Sequence, residues 1–323
     1  MSSSKIFWAQ IPGPRSFTRE VARKLLEGDS FLLSAPSLPW PDEFRTAVRN
    51  RLYTTSSSMA LDLIESKDLG GRELLEVVAS HLGCPSPVRS LRDLRDFLPS
   101  GGFLLWLYRL NQQDYVKAEK LLSDAQALQL PMQLLIETRN PFSAKGTILH
   151  FDMTQMDMLY LAMTLLMESD LKDNVEYPSH LLTELSGGAP ERMDEMLSHL
   201  QEALSDPVNT CPWLSPVEGK QAVYNAQIRV LLPLIENERL ALIHTHEDAL
   251  KQHLPFMDEY LGTYQEAAQL ELRHLVYFSR HGGIRLSRQD ETWLNMLYEA
   301  RNELSHLDIL PPEKITQLMH PPR

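Results

Sequence analysis

Three short apolar runs govern what this chain can fold into: Ser30-Phe-Leu-Leu-Ser34, Gly102-Phe-Leu-Leu-Trp-Leu107 and Met132-Gln-Leu-Leu-Ile136, the last broken only by Gln133. A strand with water on one side alternates apolar and polar residues, whereas a continuously apolar strand must be covered on both faces. Between the runs lie segments with helical spacing, FTREVARKLLEG, PDEFRTAVRNRLY and DYVKAEKLLSDAQAL. Gly28 suits a helix C-terminal cap, and Pro41 with Asp42 and Glu43 suits a first helical turn. Strands alternating with helices predict an α/β domain with a parallel sheet over residues 1–150.

Past residue 150 the strand signals fade. MTQMDMLYLAMTLLMES is apolar on most faces and reads as a buried helix. Two more helices are expected on either side of Gly187-Gly188, which makes residues 151–204 a helical region. Residues 205–219, SDPVNTCPWLSPVEG, are rich in Pro, Ser and Gly and read as a linker. From 220 to 323 the pattern is helical throughout, with Ser287 as the N-cap of the last long helix, so an all-α bundle is expected.

Bulk properties narrow the function classes. With 323 residues, 43% of them hydrophobic and 23% charged, the chain suits about two globular domains. A formal net charge of −12 argues against a general binder of nucleic acid or anionic membrane, but leaves room for a local basic cleft. Two cysteines, Cys84 and Cys211, give neither a disulfide framework nor a zinc site, so a reducing compartment is expected. Pro12 and Pro14 break the opening segment before any secretion signal could form, and no run of eighteen apolar residues occurs. These features predict a cytoplasmic protein with no membrane partner.

The order of the first elements resembles a nucleotide-binding core of the AAA/STAND type over about residues 10–200. FLLSAP stands where the first strand and phosphate loop would be, FLLWL at the magnesium-binding strand and LLIETRNP at a sensor-like strand. LTELSGGAP resembles the Leu-x-x-Leu-x-x-Gly-x-Pro start of that superfamily's lid helices. The residues that perform the chemistry are missing. A phosphate loop needs glycines for close amide approach, a lysine for the β/γ charge and a hydroxyl for magnesium. SAPSLPWPDEFRTAV has no glycine or lysine, and its three prolines remove amide donors. The next strand should end in a metal-holding acid. Here it offers Tyr108, Arg109 and Asn111, with Asp114 further along. The expectation is a degenerate core that keeps the fold without ATP hydrolysis, cofactor or metal.

The last long helix contains Arg301-Asn302-Glu303-Leu304-Ser305-His306, and this R-N-x-x-x-H arrangement resembles the HEPN-type helical domains over about residues 220–320. The resemblance implies roles for three residues. Arg301 would bind the scissile phosphate, Asn302 would orient its neighbours, and His306 would act as general acid or base on an RNA 2′-hydroxyl. No metal is implied. On one ideal helix Arg301 and His306 diverge by roughly 140°, so a working cleft needs the helix end to unwind before Pro311 or a second copy of the domain. Members of that family usually act as dimers. A purely structural role competes with this one. Arg301 can pair with Glu299, Glu303 or Asp308, and Asn302 can bond His306, so that together they stitch a bundle.

The preferred expectation is a non-hydrolysing, ATPase-like regulatory or assembly protein working through homo-oligomers or a protein partner. Analogy with similar domain combinations suggests a bacterial antiphage setting. The alternative is a metal-independent HEPN-type endoribonuclease, with RNA as substrate, held inactive by the N-terminal domain. His244 and His246, two residues apart on a helix, point their rings about 200° apart and cannot share a metal.

Overall fold

A computed structural model describes residues 2–56, 59–85, 87–139, 147–169, 175–206, 211–258 and 262–321, the side chain of Gln201 excepted. The chain divides into two compact units, Met1–Leu161 and Ala162–Arg323.

The first unit starts with helices α1 (Ser3–Gln10) and α2 (Pro12–Leu26), then β1 (Phe31–Ser34) and α3 (Pro41–Thr55). Gly28 takes φ 91, the left-handed turn that ends α2 and that a side chain would resist. Next come β2 (Ala60–Glu65), α4 (Ser66–Leu69), α5 (Leu74–His81), β3 (Phe103–Tyr108), α6 (Gln112–Ala127), β4 (Met132–Thr138) and β5 (Ile148–Leu149). The five strands form one sheet in the order β2-β3-β4-β1-β5, and every pairing is parallel. Trp106 lies opposite Leu135 and Leu32 opposite Ile136, which puts the three apolar runs at the centre.

Both faces of the sheet are covered, as the continuous apolar pattern requires. One buries Leu105, Leu107, Leu134 and Ile136 with Val77, Val78, Ala118 and Leu122 of α5 and α6. The opposite face is aromatic. Phe44 of α3 lies 4.9 Å from Trp8 and 6.0 Å from Trp106, and Phe17 and Phe151 join the cluster.

Helix α7 (Gln155–Met167) runs across the division between the units. It buries Met158, Leu161, Leu165 and Leu166, but Met156 and Met167 are more than half exposed, so it is less enclosed than its composition suggests. The second unit continues with α8 (Glu176–Leu185), α9 (Met193–Ser198), α10 (Leu200–Ser205), α11 (Pro216–Thr245) and α12 (Glu247–Lys251). Gly187 and Gly188 make the expected turn after α8 with φ 61 and 77. Within the segment read as a linker, residues 207–210 lie outside the described residues. Its end is structured. Trp213 Nε1 donates to the Leu185 carbonyl at 2.8 Å, and Ser215 with Glu218 forms a capping box that starts α11 at Pro216. Helix α11 is 30 residues long and contains Pro233.

The bundle is not wholly helical. β6 (Phe256–Asp258) and β7 (Gly262–Tyr264) form a small antiparallel hairpin. Pro255 cannot donate an amide into a helix, and Gly262 sits at φ 96, so the helical pattern expected across this stretch is interrupted. Helices α13 (Leu272–Arg280), α14 (Arg288–Ser305) and α15 (Pro312–Met319) complete the unit.

Candidate functional site

In a parallel sheet, ligands bind beyond the carboxyl ends of the strands. Here that edge is the meeting point of Ser34 from β1, Tyr108 from β3 and Thr138 from β4. A cavity of about 620 Å³ opens there, lined among others by Ala35, Pro36, Pro41, Arg45, Arg109, Asn111, Glu137 and Arg139.

Where the phosphate loop would be, Ala35–Ser37 form a single 3-10 turn. The Leu38 amide is spent on the Ala35 carbonyl, and the Ser37 hydroxyl donates to the Ser34 carbonyl at 2.9 Å. Pro36, Pro39 and Pro41 have no amide hydrogen to offer. The following helix, α3, has the positive end of its dipole here, the usual place for a phosphate. Its first turn instead carries Asp42 and Glu43.

Two arginines converge on Asp42. Arg45, buried in the apolar face of α3 between Phe44 and Val48, pairs with Asp42 and lies 4.1 Å from the Tyr108 ring centroid. It also reaches across to β4, where Nε donates to Glu137 Oε1 at 2.7 Å and Nη2 to Oε2 at 2.9 Å. Trp106 Nε1 donates to the same carboxylate at 3.0 Å. Burial works against the Arg45 charge. Nevertheless the hydrogen bonds and charge of Glu137, with Asp42 and Tyr108, hold its pKa above the ordinary value. Arg109 follows β3 in the left-handed region at φ 47 and binds Asp42 at 2.6 Å. Arg45, Arg109, Asp42 and Glu137 are therefore engaged with one another.

Asp114 is tied into the start of α6. Its carboxylate accepts from Ser66 Oγ and Asn111 Nδ2, both at 2.7 Å, while Asn111 caps α6 by accepting from the Asp114 amide. The buried acid Glu65, at the end of β2, is engaged by Lys67 and, at 3.6 Å, by Arg109. The Arg45–Glu137 pair gave one sequence signal: a carboxylate ending an otherwise apolar strand.

In the second unit, Arg301 lies 46% exposed on α14, with Nη2 3.9 Å from Glu271 Oε2. It lines a cavity of about 400 Å³ with Glu236, Arg239, Glu271, Leu232 and Ile235, among others. Neither Asn302 nor His306 lines that cavity. His306 is exposed and terminates α14, its amide donating to the Asn302 carbonyl at 3.1 Å, and Leu307 turns away at φ 62. The same stretch is sewn to α11. Tyr224 Oη donates to the Leu304 carbonyl at 2.9 Å, and the buried Gln227 side chain bonds both the amide and the carbonyl of Leu310. Glu303 and Glu299 serve Lys314, at 2.7 and 3.5 Å, and Asp308 serves Lys220 at 3.7 Å. The acids expected to hold Arg301 thus have other partners.

No protein-family model matches the sequence, and no curated protein matches it. A solved structure with detectable similarity is the ORC2 protein of Aeropyrum pernix in ADPNP-ADP complexes. It covers 97% of this chain and 96% of its own, at 12% identity and a TM-score of 0.37. At that level the similarity carries no inference about ligand or partner.

Proposed function

We propose that this chain is a non-hydrolysing, ATPase-like regulatory or assembly protein that acts through oligomerisation. The observation behind this reading is the proline-rich, ion-paired mouth of the sheet. A triphosphate needs free amides, a mobile lysine and an open helix N-terminus. At the corresponding place the chain has prolines, an acidic first turn and a buried Arg45–Glu137 ion pair. Freeing Arg45 to serve a phosphate would mean breaking that pair and leaving Glu137 buried without its cation, a cost of several kcal/mol. Regulation by protein contact needs none of this machinery. A bacterial antiphage setting is the context in which we place it, by analogy alone.

Calorimetry with ATP and magnesium tests the reading. No saturable heat in the micromolar range is expected, and binding accompanied by turnover would overturn it. The competing ribonuclease reading needs Arg301 and His306 to act on one phosphate, and the Arg301 cavity does not include His306. RNA incubated with the protein and a chelator should remain intact. Cleavage that disappears in the Arg301→Ala, His306→Ala double variant would replace our reading with the ribonuclease.

A further inference from the structure

The net charge of this protein is unevenly distributed. Met1–Leu161 holds 18 basic and 18 acidic residues, whereas Ala162–Arg323 holds 13 and 25, so the whole of the −12 lies in the second unit. Within the neutral first unit, cations gather at a cleft of about 520 Å³ between α5, the turn Leu91–Phe97 and α6. Arg89, Arg92, Lys117 and Lys120 line it, against the two acids Glu73 and Asp124. Lys117 is paired with Glu73 at 3.0 Å. Arg92 and Lys120 are exposed and form no ion pair among the described residues, and the exposed Arg89 interacts electrostatically with Asp93. The floor is apolar, made by Leu75, Leu91 and Leu121.

We propose that this cleft docks the acid-rich unit of a second copy of the chain. A leucine floor gives a phosphate nothing to bind, and the acidic excess that would complement the rim is carried by the chain's own second unit. An acidic segment with interspersed apolar side chains matches both the floor and the rim. The stretch 191–202 is mainly of that kind: Glu191, Asp194, Glu195 and Glu202 are exposed around the half-buried Leu197, against one arginine, Arg192, and His199, which lies 3.3 Å from Glu202. Contact between different patches of identical chains is head-to-tail, so it propagates into rings or open chains. This inference rests on the assembly reading above and gives it a surface.

Sedimentation of the full chain over a range of concentrations and salt tests it. Association should weaken at least about tenfold from low to high salt, because opposite charges at a rim are screened. Arg89→Glu, Arg92→Glu and Lys120→Glu together should abolish it, while Arg89→Lys with Arg92→Lys keeps it. Adding Glu195→Lys and Glu202→Lys to the reversed cleft should restore part of it. Circular dichroism of each variant establishes that the fold persists. A chain that remains monomeric throughout overturns the proposal, as does association indifferent to the reversals, or a cleft whose reversal abolishes only the binding of an added RNA. Association that ignores the reversals leaves the assembly reading standing and removes only this surface. ATP turnover would remove the assembly reading itself.

Discussion

Arg45 and Glu137 stand 92 positions apart in the chain, yet guanidinium and carboxylate meet in a two-pronged ion pair of 2.7 and 2.9 Å beneath the mouth of the sheet. The pair ties α3 to β4, and Trp106 of β3 holds the same carboxylate. Arg45→Ala would leave Glu137 buried and unpaired, at a cost of about 3–5 kcal/mol. Urea unfolding should show the loss. Arg45→Met with Glu137→Gln should recover part of it, because no charge is orphaned and the amide oxygen still accepts from Trp106.

The two arginines of the Arg301 cavity should differ sharply. Arg301 is an exposed partner of Glu271 at 3.9 Å, so Arg301→Ala should change stability by no more than about 0.5 kcal/mol. Arg239 donates to the carbonyls of Ala268 and Leu270 as well as pairing with Glu236. Arg239→Ala should cost about 1–3 kcal/mol, because carbonyls lose their donor. Melting of both variants side by side measures the difference.

His274 makes the hairpin sensitive to acid. Its Nδ1 accepts from the Glu271 amide at 2.9 Å, and Nε2 faces Asp258 of β6 at 3.2 Å. Burial lowers its pKa, with Arg273 adding to the effect, although Asp258 and Glu271 oppose it. A lowered pKa means that the unfolded chain binds the proton more readily. Stability is therefore full above the unfolded value of about 6.5 and falls as pH drops through the folded one. Burial beside Arg229 gives His180 the same direction. The urea midpoint should fall between pH 7.5 and 5, and His274→Gln should flatten that slope.

The two thiols should react at different rates. Cys211 is buried, and burial with Glu195 nearby pushes its pKa up to about 11. Thiolate is the reactive form, so a thiol reagent at pH 8 should label Cys84 first and Cys211 only on unfolding. Fast labelling of both in the native protein would contradict the burial of Cys211.

The sequence disclosed the central strands because burial on both faces leaves a short apolar run. β1, β3 and β4 fall where FLLS, FLLWL and MQLLI lie. β2 escaped because ALDLIE pairs on one side only and is largely half-buried, so it carries no such run. β5 escaped because two residues leave no pattern. The hairpin at 256–264 hid inside a stretch whose composition suits a helix, and Pro255 and Gly262 were the signals against it. At the mouth of the sheet, the lack of glycine and lysine after β1 can be read directly from the sequence. What occupies the space could not be, since only the sheet register and the packing of α3 bring Arg45 to Glu137.

Pro233 gives α11 a mechanical character that its length alone would not. Thirty residues make a rod of about 45 Å, and a proline inside it leaves the Arg229 carbonyl without its amide partner four residues on. A strut with one missing rung bends most easily at that rung, between Arg229 and Pro233.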